Sequence, residues 1–135
     1  MTDTALSPEV HDAIGWPVAG QLLDAFARRD FAAMTACLAP DVRFRALIPP
    51  GVIDVSGPEA SIANFERWFG GHDHFDVVDA AIGQIGGRLY LRWRIQTAAN
   101  GEPDSVRVVE QHLFATAGEQ IHVLDLMCSG FQVPA

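Results

Sequence analysis

The order of hydrophobic periodicities predicts an α+β domain, with helices gathered early in the chain and packed on one face of a curved antiparallel sheet. Apolar residues recur at helical spacing over 16–29, 31–38 and 58–69, whereas from Phe75 onward they alternate with period two in four segments. No β-α-β alternation and no glycine-rich phosphate loop occur, which argues against a nucleotide-binding fold. At 135 residues the chain is long enough for one well-buried core without metal or disulfide staples, and too short for two.

The first helix, expected over 16–29, carries Val18, Leu22, Leu23 and Phe26 on one side, with Pro17 suited to its first turn. Asp30 is the cap of a second helix over 31–38, whose Phe31, Met34 and Leu38 share a stripe before Pro40 ends it. Val42-Arg43-Phe44-Arg45-Ala46-Leu47 then alternates, and Pro49-Pro50-Gly51 turns the chain into a second extended piece over 52–55. Ser56-Gly57-Pro58-Glu59 supplies a cap, a first-turn proline and an early carboxylate to a third helix. That helix has Ile62, Phe65 and Phe69 on one face and ends at Gly70-Gly71. Strands are expected over 75–85, 89–97, 106–115 and 121–128, with turns at Gly86-Gly87, Asn100-Gly101 and Ala117-Gly118. Residues 1–15 read as a leader, with a short helix as the alternative, ahead of a single domain over 16–135.

Nine basic residues against 17 acidic ones give a formal charge of −8, and the positive charges are scattered, so a nucleic-acid partner is not expected. All nine are arginine, which excludes Schiff-base and lysine general-base chemistry. No stretch is apolar enough to span a membrane, and the leader has no basic flank or apolar run, so a cytoplasmic location is expected. Cys37 and Cys128 lie in no CxxC or Cys/His spacing and read as reduced thiols rather than a disulfide or zinc site. No cofactor is expected.

Leu23-Asp24-Ala25-Phe26, Arg29-Asp30-Phe31, Leu38-Ala39-Pro40-Asp41-Val42-Arg43-Phe44 and Gly57-Pro58-Glu59-Ala60-Ser61-Ile62, in this order of elements, resemble the SnoaL-like branch of the nuclear transport factor 2-like superfamily. The resemblance implies a cone, in which a strongly bent sheet wraps three N-terminal helices around an apolar cavity, and a homodimer through the outer sheet face. It also implies a function in binding or converting a small apolar or weakly polar molecule. Carried over by position, the general-base aspartate of the ketosteroid isomerases falls on Ala46, their oxyanion-hole tyrosine on Leu22 and their second acid on Gln111. The His and Asp that cyclase-like members commonly place on the last strand fall on Leu124 and Leu126. The implied cavity is therefore short of acids and bases.

The last two strands carry one cluster suited to acid–base chemistry. With a short loop around Gly118, paired residues sum to an odd number, so Glu110, His112 and Asp125 share a face and Gln111, Leu124, Leu126 and Cys128 share the other. An imidazole beside carboxylates is the usual apparatus of proton transfer. The carry-over sends that trio outward, onto a face with Val106, Val108, Phe114, Val123 and Met127; a one-residue slip sends it inward. His72-Asp73-His74 has metal-ligand spacing but no evident partner, and it reads as a solvated loop.

Two functional readings stay open. One is a cofactor-independent lyase, isomerase or cyclase, with Asp125 or Glu110 taking a proton, His112 relaying it and Gln111 donating a hydrogen bond to a carbonyl. The other is a non-catalytic module: either a ligand-binding one, with a pocket lined by Phe44, Trp68, Trp93, Gln111, Leu124, Leu126 and Cys128, or a dimeric structural or regulatory one whose outer sheet face matters more than its cavity.

Overall fold

The computed structural model describes residues 6–135, with side chains described from Trp16 onward. Three helices, α1 (Leu6–Ala27), α2 (Phe31–Ala36) and α3 (Pro58–Phe69), accompany six strands. The strands are β1 (Leu38–Ile48), β2 (Gly51–Ser56), β3 (His74–Ile85), β4 (Arg88–Ala99), β5 (Glu102–Ala117) and β6 (Ile121–Cys128). They form one curved sheet in the order β2-β1-β6-β5-β4-β3. Every neighbouring pair is antiparallel except β1 and β6, which run parallel from Arg43 opposite Val123 to Leu47 opposite Met127. The expected all-antiparallel sheet is thus corrected to a mixed one. The chain returns its last strand beside its first, and the connecting elements between them make parallel pairing geometrically open.

Along α1 the residues at successive turns, Val18, Leu22, Ala25 and Phe26, are buried and face the sheet. The helix starts at Leu6 rather than at Trp16, and Pro17 lies inside it. It ends on Arg29 at φ 51°, a left-handed position usually given to glycine, with Arg29 N–H donating to Phe26 O and Asp30 N–H to Ala25 O. The strained turn has external support: the Arg29 guanidinium donates to the carbonyls of Phe69 and His72 at 2.9 and 2.7 Å and lies over the Phe75 ring. Asp30 caps α2 as expected, its side chain accepting from Ala33 N–H. α2 is shorter than expected, and Leu38 already belongs to β1. At α3 the N-cap is Gly57 at φ 93°, not Ser56, and Pro58 follows at the first helical position.

Period-two alternation sorts each strand into an inner and an outer face. Inward lie Phe44 and Ala46 of β1, Leu91, Trp93 and Ile95 of β4, Leu113 and Ala115 of β5, and Leu124 and Leu126 of β6, all buried against the helices. Phe26 is the centre of this core. It stacks on Trp93 at 4.0 Å between centroids and meets Phe65, Phe69 and Phe75 edge-on. Register shifts in β3, β4 and β5 add local twist, which bends the sheet around that centre. Among the described residues no helix is long and apolar enough to cross a membrane.

Candidate functional site

A cavity of about 380 Å³ opens where β1 and the parallel β6 both end, beside the last turn of α3. Its inner surface is made by Gln111 of β5 and Cys128 of β6, which sit directly opposite each other, and by Phe69. Trp68 and Ile48 add apolar walls. The rim is chain that turns: Pro49 and Pro50 from the β1–β2 connection, and Gly130, Phe131 and Gln132 from the segment after β6. That segment crosses to β5, where Val108 and Gln132 exchange two backbone hydrogen bonds of 2.8 and 2.9 Å. Phe131 rests against Phe69 and His72 while staying 40% exposed. Gly130 makes this route possible. Its φ is +77°, and a Cβ there would lie 2.7 Å from Pro49 Cγ.

Among the described residues no Asp, Glu, Arg or His lines the cavity. Its polar groups are the Gln111 and Gln132 amides, the Cys128 thiol and the Trp68 indole. Gln111 is completely buried, and its orientation is determined by a neighbour beneath it: Trp93 Nε1–H donates to Gln111 Oε1 at 2.8 Å. Gln111 Nε2 then points toward Cys128 Sγ at 3.4 Å, a weak acceptor. Cys37, the second free cysteine, is remote from the cavity lining, and burial pushes its thiol pKa up.

Of the expected lining, Trp68, Gln111 and Cys128 are in place. Phe44, Trp93, Leu124 and Leu126 are not: they share the inner face but are fully packed under the helices, where Phe26 and Phe65 fill the space a deeper cavity would need. The rim residues Gly130, Phe131 and Gln132 went unread, although the Ser-Gly-Phe run after the last strand was the available signal for a turn that brings an aromatic ring back over the sheet.

Glu110, His112 and Asp125 stand on the outer face, as the odd pairing sum and the positional carry-over require. They do not reach the cavity, which corrects the arrangement that the acid–base reading needs. Nor do they form one group. His112 donates through Nε2 to Glu110 Oε2 at 2.8 Å and its Nδ1 is hydrogen-bonded to the Tyr90 hydroxyl at 2.8 Å, while Arg94 binds the same carboxylate. The hydrogen bond from His112, reinforced by Arg94, holds the Glu110 carboxyl below the usual range. Asp125 belongs instead to Arg45, which grips it with two hydrogen bonds of 2.7 and 2.9 Å, and to Arg88 at 3.1 Å. Those arginines, Arg45 first, depress its pKa despite partial burial. Both clusters are compensated: Arg94 and Arg45 reach their carboxylates from the neighbouring strand, Arg88 reaches Asp125 across β5, and His112 meets Glu110 along the same strand. His72 and His74 engage different partners, Trp68 O and Asn100 Oδ1, so the pair does not act as one site.

The bent sheet wrapped on helices, with a neutral cavity at its open end, defines an α+β cone of the nuclear transport factor 2-like class. Within it, the chain belongs to the SnoaL-like domain family, which matches residues 19–122. Solved structures are similar over most of their length. A candidate polyketide cyclase from Xanthomonas campestris pv. campestris superposes with a TM-score of 0.65 at 20% identity, covering 87% of this chain and 91% of that one. A candidate SnoaL-like polyketide cyclase from Shewanella putrefaciens CN-32 gives 0.65 at 13% identity, with 85% and 79% covered. A nuclear transport factor 2-like protein of unknown function from Burkholderia pseudomallei gives 0.63 at 16% identity, with 83% and 88% covered. At such identities the likeness establishes the fold. No curated protein matches the sequence.

Proposed function

We propose that this protein binds a small, uncharged, largely apolar molecule in the cavity between Trp68, Gln111 and Cys128, and that it does so without acid–base chemistry of its own. The observation that carries this reading is the lining: about 380 Å³ of space with apolar walls and, among the described residues, no ionised side chain. A charged ligand there would lose hydration without gaining a counter-ion. The acids and the imidazole that a lyase, isomerase or cyclase would need are turned to the other side of the sheet and already paired. Cys128 provides the test. An uncharged, environment-sensitive dye such as Nile red should brighten on binding and slow alkylation of Cys128 by N-ethylmaleimide, with Trp68→Ala weakening both effects. Equal alkylation rates with and without saturating dye would refute cavity binding.

The reading includes a homodimer through the outer sheet face. Supporting it, Leu47, Val52 and Met127 are 55%, 73% and 51% exposed around a groove of about 320 Å³ walled by Phe114. Sedimentation equilibrium should give twice the chain mass, and Met127→Glu should halve it; a monomer at all concentrations removes the dimer.

A further inference from the structure

The cavity contains a fixed hydrogen-bond polarity. An amide side chain ordinarily offers a donor and an acceptor and can exchange them by turning about its last bond. Gln111 cannot do so without penalty, because the indole N–H of Trp93 is a donor only and lies 2.8 Å from Oε1, with both side chains completely buried. Turning the amide over would set N–H against N–H in a dry environment, which leaves both groups unpaired. Trp93 is itself immobilised by its stack on Phe26. The acceptor end of Gln111 is therefore occupied from below, and the end beside the cavity is always Nε2.

That Nε2 is also under-used. Its one partner among the described residues is Cys128 Sγ at 3.4 Å, and that sulfur already receives Gly130 N–H at the same distance. A thiol sulfur is a poor acceptor, so a ligand oxygen arriving there gains a hydrogen bond and displaces little.

We infer that the cavity selects for molecules that place a carbonyl-type oxygen, an acceptor without a proton, against Gln111 Nε2, and selects against molecules that bring an N–H donor to the same place. Trp93 is the positioning residue for this selection, acting through Gln111 rather than by touching the ligand. The inference rests on the cavity being the binding site. It adds to that reading which end of an apolar ligand enters first.

Three flat bicycles separate the cases: indene has neither group, indole carries a donor only and 1-indanone an acceptor only. Affinities are read from titrations followed by the NMR signals of the Trp68 indole and the Gln111 side-chain amide. The expected order is 1-indanone tightest, with indole weakest, and on the order of tenfold or more between those two ends. The Gln111 amide protons should shift with 1-indanone. Gln111→Met should bring 1-indanone into line with indene. Trp93→Phe, which keeps the Gln111 amide and frees it to turn, should narrow the ratio of 1-indanone to indole affinity. Equal affinity of the wild-type protein for all three compounds, with shifts at Trp68, overturns the inference and leaves the cavity reading standing. An unchanged ratio in Trp93→Phe overturns the positioning role. The absence of shifts at Trp68 and Gln111 with every compound overturns the cavity reading and the inference together.

Discussion

Replacing Gly130 by alanine should detach the segment that rims the cavity while leaving the rest of the fold in place. Two penalties combine at this position. A side chain at φ +77° costs about 1–2 kcal/mol for the left-handed backbone. The added methyl would stand 2.7 Å from Pro49 Cγ, a rigid ring that cannot rotate aside, and such overpacking costs typically about 1–3 kcal/mol. Against this, the segment is held by the two Val108–Gln132 backbone hydrogen bonds, worth about 1–3 kcal/mol together, and by the half-buried Phe131 ring. The ranges for strain and attachment overlap, so the segment should open locally. Native-state hydrogen exchange at the Val108 and Gln132 amides measures this directly. A loss of about 2 kcal/mol corresponds to roughly 30-fold faster exchange. Amides of Leu91 and Leu113 in the sheet core should keep their protection. Gly118→Ala is the control, since nothing lies within 4 Å of its added methyl and its φ is not positive. Unchanged exchange at Val108 in Gly130→Ala would refute the argument, and so would an equal loss throughout the sheet.

Phe26→Ala should cost about 3–5 kcal/mol in denaturant titration, because it removes the ring on which Trp93 stacks and which three other phenylalanines meet. Asp30→Ala should cost about 1 kcal/mol by the same assay, with Asp30→Asn recovering most of it, since the lost contact is a helix cap. Asp125→Asn should lower stability by about 1–2 kcal/mol at pH 7 and alter the acid limb of the stability profile. The folded carboxyl of Asp125 titrates below its unfolded value of about 3.9, so its contribution is complete above that pH and is lost as pH falls through the depressed folded value. The variant should therefore lose less stability than the wild type below about pH 4. A parallel acid limb in both proteins, followed by circular dichroism, would show that the Arg45 and Arg88 pairs contribute nothing.

The helices and strands were legible because apolar spacing alone reveals which residues share a face, and the turns lay at the expected glycines. The odd pairing sum between β5 and β6 likewise followed from a short turn, and with it the separation of Gln111 from Glu110 and His112. What escaped was set by distant chain. Periodicity in β1 is the same whether its neighbour runs parallel or antiparallel, so the β6 pairing left no local trace. The start of α1 was missed because Pro17 suits a first turn better than a helix interior, where it nevertheless lies. Phe44 and Trp93 were expected at the cavity because an inward aromatic reads alike whether it meets a ligand or another ring. Phe26 and Phe65 decide the matter, and they belong to helices far away in sequence.

The parallel pairing of β1 with β6 has a consequence for how the protein can be made. Arg45 and Asp125, which lock that pairing, are 80 residues apart, so a chain emerging from the ribosome carries β1 long before its partner exists. Until residue 121 and those after it are synthesised, β1 has β2 on one side and an open row of backbone donors and acceptors on the other. β3, β4 and β5 can already pair among themselves, but nothing joins them to β1 through the sheet. The final strand is thus a keystone, the piece placed last that turns two separate half-sheets into one. Truncation that removes β6 should abolish the fold as a whole, and the slow step in folding should be the capture of β6 between β1 and β5.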